Sequence, residues 1–267
     1  MPGLRRRRGL YDHHRMEWIE AFGLRFSNVS FGEAVEEILR MASQRRPCFA
    51  VTPNVDHVVR IQRDEAMAAV YRAADLVLCD GAPVLWAMRW LGRPLKERAP
   101  GADLFPALCG RCAERGFRVY LLGAAPGVAE ECARRLKAQY PLLQIAGTCA
   151  PPVGFDENPD EEKKVVEAVR AARPDLLFVA FGTPRQEKFI HRNLAAMNVP
   201  MSIGVGAAFD FFAGLTRRAP AWMRRRGLEW LWRLMNEPGR LARRYLVDDL
   251  KFFGIVWRES RKKFSSK

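Results

Sequence analysis

Short apolar runs alternate along this chain with longer stretches in which apolar residues recur at helical spacing. Six such runs lie at 48–52, 75–79, 117–123, 142–148, 175–182 and 201–206. Continuous apolar runs are typical of strands buried on both faces, and the intervening stretches are long enough for helices. The pattern therefore predicts an α/β fold with a doubly wound, mostly parallel, Rossmann-like sheet.

The C-terminal part of the chain has a different character. Residues 217–267 hold 15 Lys/Arg and 5 Asp/Glu, so most of the net charge of +14 lies there, together with four of the seven tryptophans. The spacing of Leu228, Leu231, Trp232 and Met235 predicts an amphipathic helix, and a second stretch of this kind follows Pro238. We therefore divide the chain into a basic N-terminal arm (1–20), an α/β catalytic core (21–214) and a basic amphipathic helical appendage (215–267), which we expect to bind an anionic partner.

Several other classes of protein are disfavoured. Charged residues interrupt every long apolar stretch, so no transmembrane segment is predicted, and the arginines at 5–8 are not followed by the apolar core of a signal peptide. The six cysteines lie mostly in apolar segments, as expected for reduced thiols in the cytoplasm. Cys109 and Cys112 form a CxxC pair without a second pair, and we interpret them as two small hydrophobic residues of a helix. No metal site is indicated, because no DxD motif ends a strand.

Small and polar residues follow the predicted strands. Ligands of such sheets bind beyond the carboxyl ends of the strands, where these residues would meet. The loops at 123–127 and 204–210 could bring backbone N–H groups to a phosphate at a helix N-terminus, although tight packing explains either loop equally well alone. Together they favour a nucleotide diphosphate as ligand. The candidate residues are Thr52, Asn54, Asp80, Gly81, Gly123, Gly182, Gln186, Gly204, Gly206 and Asp210.

Asp80 is the strongest catalytic candidate. A carboxylate beside a glycine at a strand end can act as a general base toward a hydroxyl, but an aspartate before Pro83 could equally be a helix N-cap. Thr52 and Asn54 could bind sugar hydroxyls or cap a helix, and Gln186 could reach a phosphate or sugar or lie on a helix surface. In the appendage, arginines could neutralise a leaving diphosphate or face solvent and lipid headgroups. These arginines are Arg233, Arg240 and Arg243.

Seven motifs extend this interpretation. In order, they are TPNVDH, CDGAPVLWA, ERAPGADL, YLLGAAPGVAE, FVAFGTPRQEKFI, GVGAAFDFFAG and RAPAWMRRRGLEWLWRLMNEPGRLARR. Over about residues 20–250 the chain resembles the WecG/TagA/CpsF family of bacterial glycosyltransferases. The resemblance implies an inverting transfer, without metal or cofactor, of a sugar such as N-acetylmannosamine from a UDP-linked donor. The acceptor would be a polyprenyl-diphosphate-linked sugar at the inner face of the cytoplasmic membrane, in cell-surface polysaccharide or teichoic acid biosynthesis.

The resemblance also implies roles for individual residues. Asp80 would be the base, Thr52, Asn54, Arg98, Gln186 and Asp210 would bind substrate, and Arg233, Arg240 and Arg243 would serve catalysis. Relatives often have a Gly-aromatic pair where this chain has Phe155, which we map as a residue that stacks on the nucleobase.

Two other classes stay open as alternatives. A nucleic-acid-binding protein could use the Arg/Trp-rich tail, although the apolar stripes of the tail argue against nucleic acid as the partner. A nicotinamide-dependent oxidoreductase is disfavoured because GxGxxG and the ribose-binding acid are absent. The donor sugar, the acceptor and the oligomeric state, a homo-oligomer included, are not fixed by the sequence.

Overall fold

The computed structural model describes residues 16–236, 238–239 and 248–265. Its strands are β1 (Trp18–Ala21), β2 (Leu24–Ser27), β3 (Cys48–Val51), β4 (Leu76–Val77), β5 (Arg118–Gly123), β6 (Gln144–Cys149), β7 (Leu176–Ala180) and β8 (Met201–Gly204). Its helices are α1 (Phe31–Ser43), α2 (Val55–Ile61), α3 (Glu65–Ala73), α4 (Ala82–Trp90), α5 (Gly101–Arg115), α6 (Val128–Gln139), α7 (Pro159–Ala172), α8 (Arg185–Met197), α9 (Ala208–Phe212), α10 (Ala221–Arg225), α11 (Glu229–Asn236) and α12 (Lys251–Ser265).

Strands β3 to β8 form one sheet in the order β4-β3-β8-β7-β5-β6, and every neighbouring pair is parallel. Five of the six predicted runs contain one of these strands and the sixth, 142–148, overlaps all but the last residue of β6, which confirms the predicted α/β fold. The connections after β3 and β5 lead to opposite edges of the sheet, so β8 and β7 lie at the switch point of the topology, where ligands of such sheets bind.

Successive strand residues point to opposite faces of the sheet and enter two separate apolar clusters. Phe49 and Val51 lie in one cluster, while Cys48 and Ala50 lie in the other. Helices cover both clusters, which explains why the strands are continuous apolar runs without polar alternation. Cys109 and Cys112 are buried on α5 within the second cluster, and burial raises the pKa of the Cys112 thiol to about 12, in accord with two small core residues.

An N-terminal hairpin was missed by the pattern analysis. β1 and β2 are antiparallel and joined by Phe22 and Gly23, which both have positive φ values, 58° and 79°, as the tightest hairpin turns require. Phe22 and Phe26 are buried in the core. The boundary predicted at residue 20 therefore falls inside β1, and residues 1–15 of the predicted arm lie outside the described residues.

The appendage packs against the core at two places. A Cβ at Gly227, between α10 and α11, would lie 2.4 Å from Ala82 Cβ, so this turn lies directly on α4. In α12, Phe252 and Ile255 are buried in the first core cluster, and the ring of Phe252 lies 5.6 Å from that of Phe22. Helix α11 contains Leu231, Trp232 and Met235 of the predicted amphipathic helix and begins directly after Leu228. No helix in the described ranges combines the length and hydropathy needed to cross a bilayer.

Candidate active site

The parallel sheet brings most of the predicted residues to one edge. Thr52 follows β3, Asp80 follows β4, Gly123 ends β5, Gly182 follows β7 and Gly204 ends β8. Because β4, β3, β8, β7 and β5 are consecutive neighbours, their carboxyl ends form a continuous row. The predicted polar edge is therefore present in the fold.

Hydrogen bonds of its main chain hold Asp80 in place, and in the described structure none involves its carboxylate. Its N–H donates to the carbonyl of Pro53 at 3.1 Å, and a Cβ at Gly81 would lie 3.3 Å from Asn54 Cβ. Glycine at 81 thus lets the loops after β3 and β4 approach closely. The N-cap of α4 is Gly81, and no side chain in the described structure caps that helix, so the N-cap interpretation of Asp80 does not apply.

The environment of Asp80 raises the pKa of its carboxyl group to about 7. Burial is the main cause, and the nearby charge of Glu229 acts in the same direction, whereas Arg98, Arg233 and Arg218 lower the pKa. A carboxyl group that titrates near neutral pH can accept a proton and is suited to general base catalysis.

Arg98 joins the strand end to the appendage. Its Nη2 donates to the carbonyl of Arg224 on α10 at 3.0 Å, and its Nη1 contacts the carbonyl of Asp80 at 3.5 Å. The guanidinium of Arg98 is half-buried beside Asp80. Both of these N–H donors point at main-chain carbonyl groups.

Arg218 was not singled out by the sequence analysis, although it begins the RAP motif. Its Nη1 pairs with Asp103 on α5 at 2.6 Å and its Nε with Glu229 on α11 at 3.2 Å. Its buried Nη2 has no hydrogen-bond partner among the described residues. A buried guanidinium N–H without an acceptor is costly, and an anionic ligand would satisfy it.

Arg233 lies on α11 near the same place. Its guanidinium carbon is 5.9 Å from the centre of the Phe211 ring, and that of Arg218 is 5.8 Å from the same ring. The Nε of Arg233 is buried and, within the described part of the chain, has no hydrogen-bond partner. Two arginines with unsatisfied donors thus converge beside Asp80, while Arg240 and Arg243 lie outside the described residues.

Asn54 and Thr52 lie at the end of β3. Asn54 is the N-cap of α2, and its Oδ1 accepts from the N–H of Asp56 at 3.1 Å, so the capping role weighed for it is present. Thr52 is buried with only 5% of its surface exposed. Both residues lie next to the Asp80 loop through the contact between Asn54 and Gly81.

Gln186 is buried within the protein, on the first turn of α8. Its Oε1 accepts from the N–H of Gly206 at 3.0 Å, and its Nε2 donates to Glu187 Oε1 at 2.8 Å. A Cβ at Gly204 would lie 2.6 Å from this Nε2, which explains the glycine there. Gln186 therefore supports the 204–206 loop from within, and its amide does not extend over the helix surface.

The remaining glycines shape the loops. Gly123 has a φ of 108°, and a Cβ there would lie 2.8 Å from the carbonyl oxygen of Ala180, so only glycine fits between β5 and β7. Gly182 and Gly206 have φ values of 74° and 55°, and a Cβ at either would meet open space. Glycine is favoured at both positions by the positive φ and not by lack of space, so the loops have room beside these residues for a ligand.

Phe155 and Asp210 are the two candidates that remain to be placed. Phe155 is 3% exposed, and its ring packs against Phe181 at 5.0 Å and Phe189 at 5.6 Å, so the ring that was mapped for nucleobase stacking is used within the core. Asp210 is half-buried on α9. Burial raises the pKa of Cys132 on α6 to about 12, and the charge of Asp210 is the second cause. The carboxylate of Asp210 therefore lies near α6.

A buried chain of polar side chains was also missed. His57 is 5% exposed and bonds to Tyr71 and Thr183, and Thr183 in turn donates to Glu187. Glu187 is 2% exposed. Among the described residues, no cluster of His, Cys, Asp and Glu has the arrangement to hold a metal ion.

The protein thus has an α/β fold with a candidate ligand site at the carboxyl edge of its parallel sheet, where one carboxyl group lies near several arginines. Residues 19–266 match the model of the glycosyl transferase WecG/TagA/CpsF family. The chain belongs to this family of glycosyltransferases, as its motifs predicted.

Relatives with curated names agree. A protein of Bacillus spizizenii strain W23 is 34% identical over 200 residues, which cover 75% of this chain and 76% of the relative. A protein of Staphylococcus aureus strain MW2 is 28% identical over 227 residues, covering 84% of this chain and 87% of the relative. Both are named N-acetylglucosaminyldiphosphoundecaprenol N-acetyl-beta-D-mannosaminyltransferase.

Proposed function

We propose that this protein transfers an N-acetylmannosamine-type sugar from a UDP-linked donor to a polyprenyl-diphosphate-linked N-acetylglucosamine. The names of the Bacillus and Staphylococcus relatives support the acceptor and the transferred sugar, over three quarters or more of this chain. The glycine loops of the sheet edge support a nucleotide diphosphate as the donor's leaving group. The product would belong to the synthesis of a cell-surface polysaccharide such as teichoic acid.

The observation that carries the proposal is the half-buried carboxyl group of Asp80, with a pKa of about 7, beside arginines. In the proposed step Asp80 accepts the proton of an acceptor hydroxyl as that oxygen attacks the anomeric carbon. The bond between this carbon and the diphosphate oxygen breaks at the same time, and the nucleotide diphosphate leaves with the electron pair. Attack from the face opposite the leaving group inverts the anomeric centre.

The negative charge of the leaving diphosphate would be met by the protein's own cations, without metal or cofactor. Arg218 and Arg233 each hold a buried N–H that lacks a partner in the described structure, and both guanidinium groups are close enough to lower the pKa of Asp80. Arg240 and Arg243 would add to this charge. Preorganised guanidinium donors stabilise charge that develops in a transition state.

The other predicted residues take supporting roles in this proposal. Thr52 and Asn54 would contact sugar hydroxyls, Arg98 would hold the Asp80 loop against α10, and the loops containing Gly123, Gly182, Gly204 and Gly206 would border the diphosphate. Asp210 stays a predicted substrate-binding residue. The role of Phe155 as a stacking residue is weakened, because its ring packs within the core.

We further propose that the enzyme works as a peripheral protein on the inner face of the cytoplasmic membrane. Trp222 and Trp230 of the appendage are 55% and 38% exposed. Trp86 and Trp90 of α4 are also exposed, and the turn at Gly227 lies against Trp86. Tryptophans combined with a basic surface are suited to the headgroup region of an anionic bilayer. Stronger binding to single-stranded DNA than to anionic vesicles at physiological salt would favour the nucleic-acid alternative.

The function is tested with purified protein, a synthetic lipid-linked N-acetylglucosamine diphosphate and a panel of UDP-sugars, in the presence of a chelator. Transfer from UDP-N-acetylmannosamine above all other donors, with inversion at the anomeric carbon, is the expected result. Transfer that stops with chelator and returns with Mg²⁺ or Mn²⁺ would contradict the arginine-based mechanism. Absence of transfer from every UDP-sugar would contradict the donor class.

A further inference from the structure

A continuous chain of buried hydrogen bonds runs from α3 to the loop after β8. The Tyr71 hydroxyl bonds to His57 Nδ1 at 2.8 Å, and His57 Nε2 bonds to Thr183 Oγ1 at 2.7 Å. Thr183 Oγ1 donates to Glu187 Oε1 at 3.0 Å. The chain thus links residues of four different segments and ends at the buried carboxylate of Glu187. The proposed reaction uses none of these residues directly.

Donor and acceptor counting assigns a direction to this chain. The single hydroxyl proton of Thr183 is donated to Glu187, so Thr183 Oγ1 accepts from His57 Nε2–H. His57 Nδ1 and the hydroxyl of Tyr71 form the next bond of the chain. The two bonds from His57 through Thr183 therefore point toward Glu187.

Gln186 extends the chain to the site. Its Nε2 also donates to Glu187 Oε1, at 2.8 Å, so the carboxylate fixes which end of the amide faces inward. The Oε1 of Gln186 is thereby directed at the N–H of Gly206, 3.0 Å away. The space beside Gly204 is filled by the same amide. The shape of the 204–206 loop therefore depends on the orientation of a single amide.

A purely structural purpose explains this arrangement poorly. Burying a carboxylate is costly, and apolar residues of similar volume would fill the same space at least as well. Burial raises the pKa of Glu187, while hydrogen bonds from Gln186, its own backbone, Thr183 and Tyr71 lower it. What the carboxylate supplies and an apolar side chain could not is the fixed orientation of the Gln186 amide.

We infer that Glu187 is a positioning residue for donor binding, which acts through Gln186 to hold the loop at Gly204–Gly206 in the conformation that accepts the donor diphosphate. This inference rests on the proposed function, because it takes the loop as the diphosphate site. Glu187 itself touches no substrate in this account.

The test is a double-mutant cycle on the affinity for UDP, measured by calorimetry with the full-length chain. Glu187→Gln removes the negative charge that orients the Gln186 amide, Gln186→Met removes the amide itself, and each is expected to weaken UDP binding about tenfold. Because Glu187 acts through Gln186, the double variant should bind UDP about as weakly as Gln186→Met alone. Independent, additive losses would overturn the inference.

Asp175→Asn is the matched control. Asp175 is 7% exposed, precedes β7 at the opposite end of the sheet and accepts from the N–H of Arg118 at 2.8 Å. This variant should lose thermal stability without a change in UDP affinity. If Asp175→Asn weakens UDP binding as much as Glu187→Gln, the effect reflects general damage and the inference is wrong.

The remaining outcomes are also decisive. If wild-type protein binds UDP and Glu187→Gln binds it equally well, the positioning role is wrong while the proposed function stands. If wild-type protein does not bind UDP, the donor class of the proposed function fails and the inference falls with it. Should Glu187→Gln not fold, Gln186→Met alone decides, because unchanged UDP affinity in that variant would remove the link through the amide.

Discussion

One aspartate precedes β4 and another follows it, and only the first has hydrogen-bond partners for its carboxylate among the described residues. Asp75, before the strand, accepts from the N–H of Phe49 at 3.0 Å and pairs with Arg46 at 2.8 Å. Asp175 has the same place before β7 and accepts from Arg118 N–H. Asp80, after β4, receives no hydrogen bond to its carboxylate from any described residue, and its pKa is about 7.

The comparison distinguishes two structural carboxylates from the carboxylate that we propose as the general base. At the amino end of the sheet, the carboxylates of Asp75 and Asp175 accept hydrogen bonds from N–H groups of neighbouring strands. At the carboxyl end, a half-buried carboxyl group is held by its backbone while its oxygens stay available. Burial alone does not separate the two ends, because Asp175 is more buried than Asp80. The two ends differ in whether other residues donate hydrogen bonds to the carboxylate.

The largest expected effect is that of Asp80→Asn. Removing the base should lower kcat about 10²- to 10⁴-fold, while UDP affinity and folding persist. Transfer assays and calorimetry on the same preparation measure both. The matched variant Asp75→Asn should instead lower the free energy of unfolding by about 1–3 kcal/mol and leave kcat of the folded protein nearly unchanged. Comparable kcat losses in both variants would erase the distinction between the two ends.

Arg233→Ala should reduce transfer about 10- to 100-fold, because a charge-assisted contact to the departing diphosphate is lost. Vesicle binding, measured by co-sedimentation, should persist. Arg225, an exposed arginine of α10, is the control: Arg225→Ala should leave kcat unchanged and weaken vesicle binding slightly. Near-normal transfer by Arg233→Ala would assign its charge to the membrane instead of the reaction.

The exposed aromatic residues allow a smaller test. Trp222→Ser combined with Trp230→Ser should weaken binding to anionic vesicles about tenfold, since apolar surface would no longer enter the headgroup region. Leu142, 77% exposed beside the amino end of β6, is the control, and Leu142→Ser should not affect vesicle binding. Equal vesicle affinity of all three proteins would contradict the proposed membrane surface.

The smallest effect concerns stability. The pKa of Asp80 is higher in the folded chain than in the unfolded one, so the folded state binds more protons between about pH 4 and 7 and loses stability as pH rises through this window. Because asparagine does not titrate, Asp80→Asn should not lose stability in this pH window. Its Tm should exceed that of the wild type by a few degrees at pH 8 and approach it at pH 4. A Tm difference that does not change with pH would contradict the raised pKa.

The sequence was sufficient for the fold and for the edge of the sheet at which most candidate residues meet. Apolar runs identify buried parallel strands because both faces are covered, and the residues after those runs must meet at one edge. The hairpin escaped because Glu20 and Arg25 interrupt the apolar residues of β1 and β2, so neither strand is a continuous apolar run. The motifs identified the family because the spacing of the tail motif is specific.

The contacts between distant residues were beyond such reasoning. His57 and Thr183 are 126 positions apart, and no local pattern indicates that their side chains meet. Arg218 was visible only as part of a motif, and its pairs with Asp103 and Glu229 depend on how the appendage packs on α5. Phe155 was assigned to a nucleobase by its place after a glycine, whereas packing against Phe181 and Phe189 determines its surroundings.

The most direct test of the central claim is the pH dependence of kcat/KM for transfer from UDP-N-acetylmannosamine. If Asp80 is the base, kcat/KM should rise tenfold per pH unit below an apparent pKa of about 7 and level off above it, because only the ionised carboxylate accepts the proton. The residual activity of Asp80→Asn should lack this limb. A wild-type kcat/KM that stays constant between pH 5 and 8 would contradict the assignment of Asp80 as the general base.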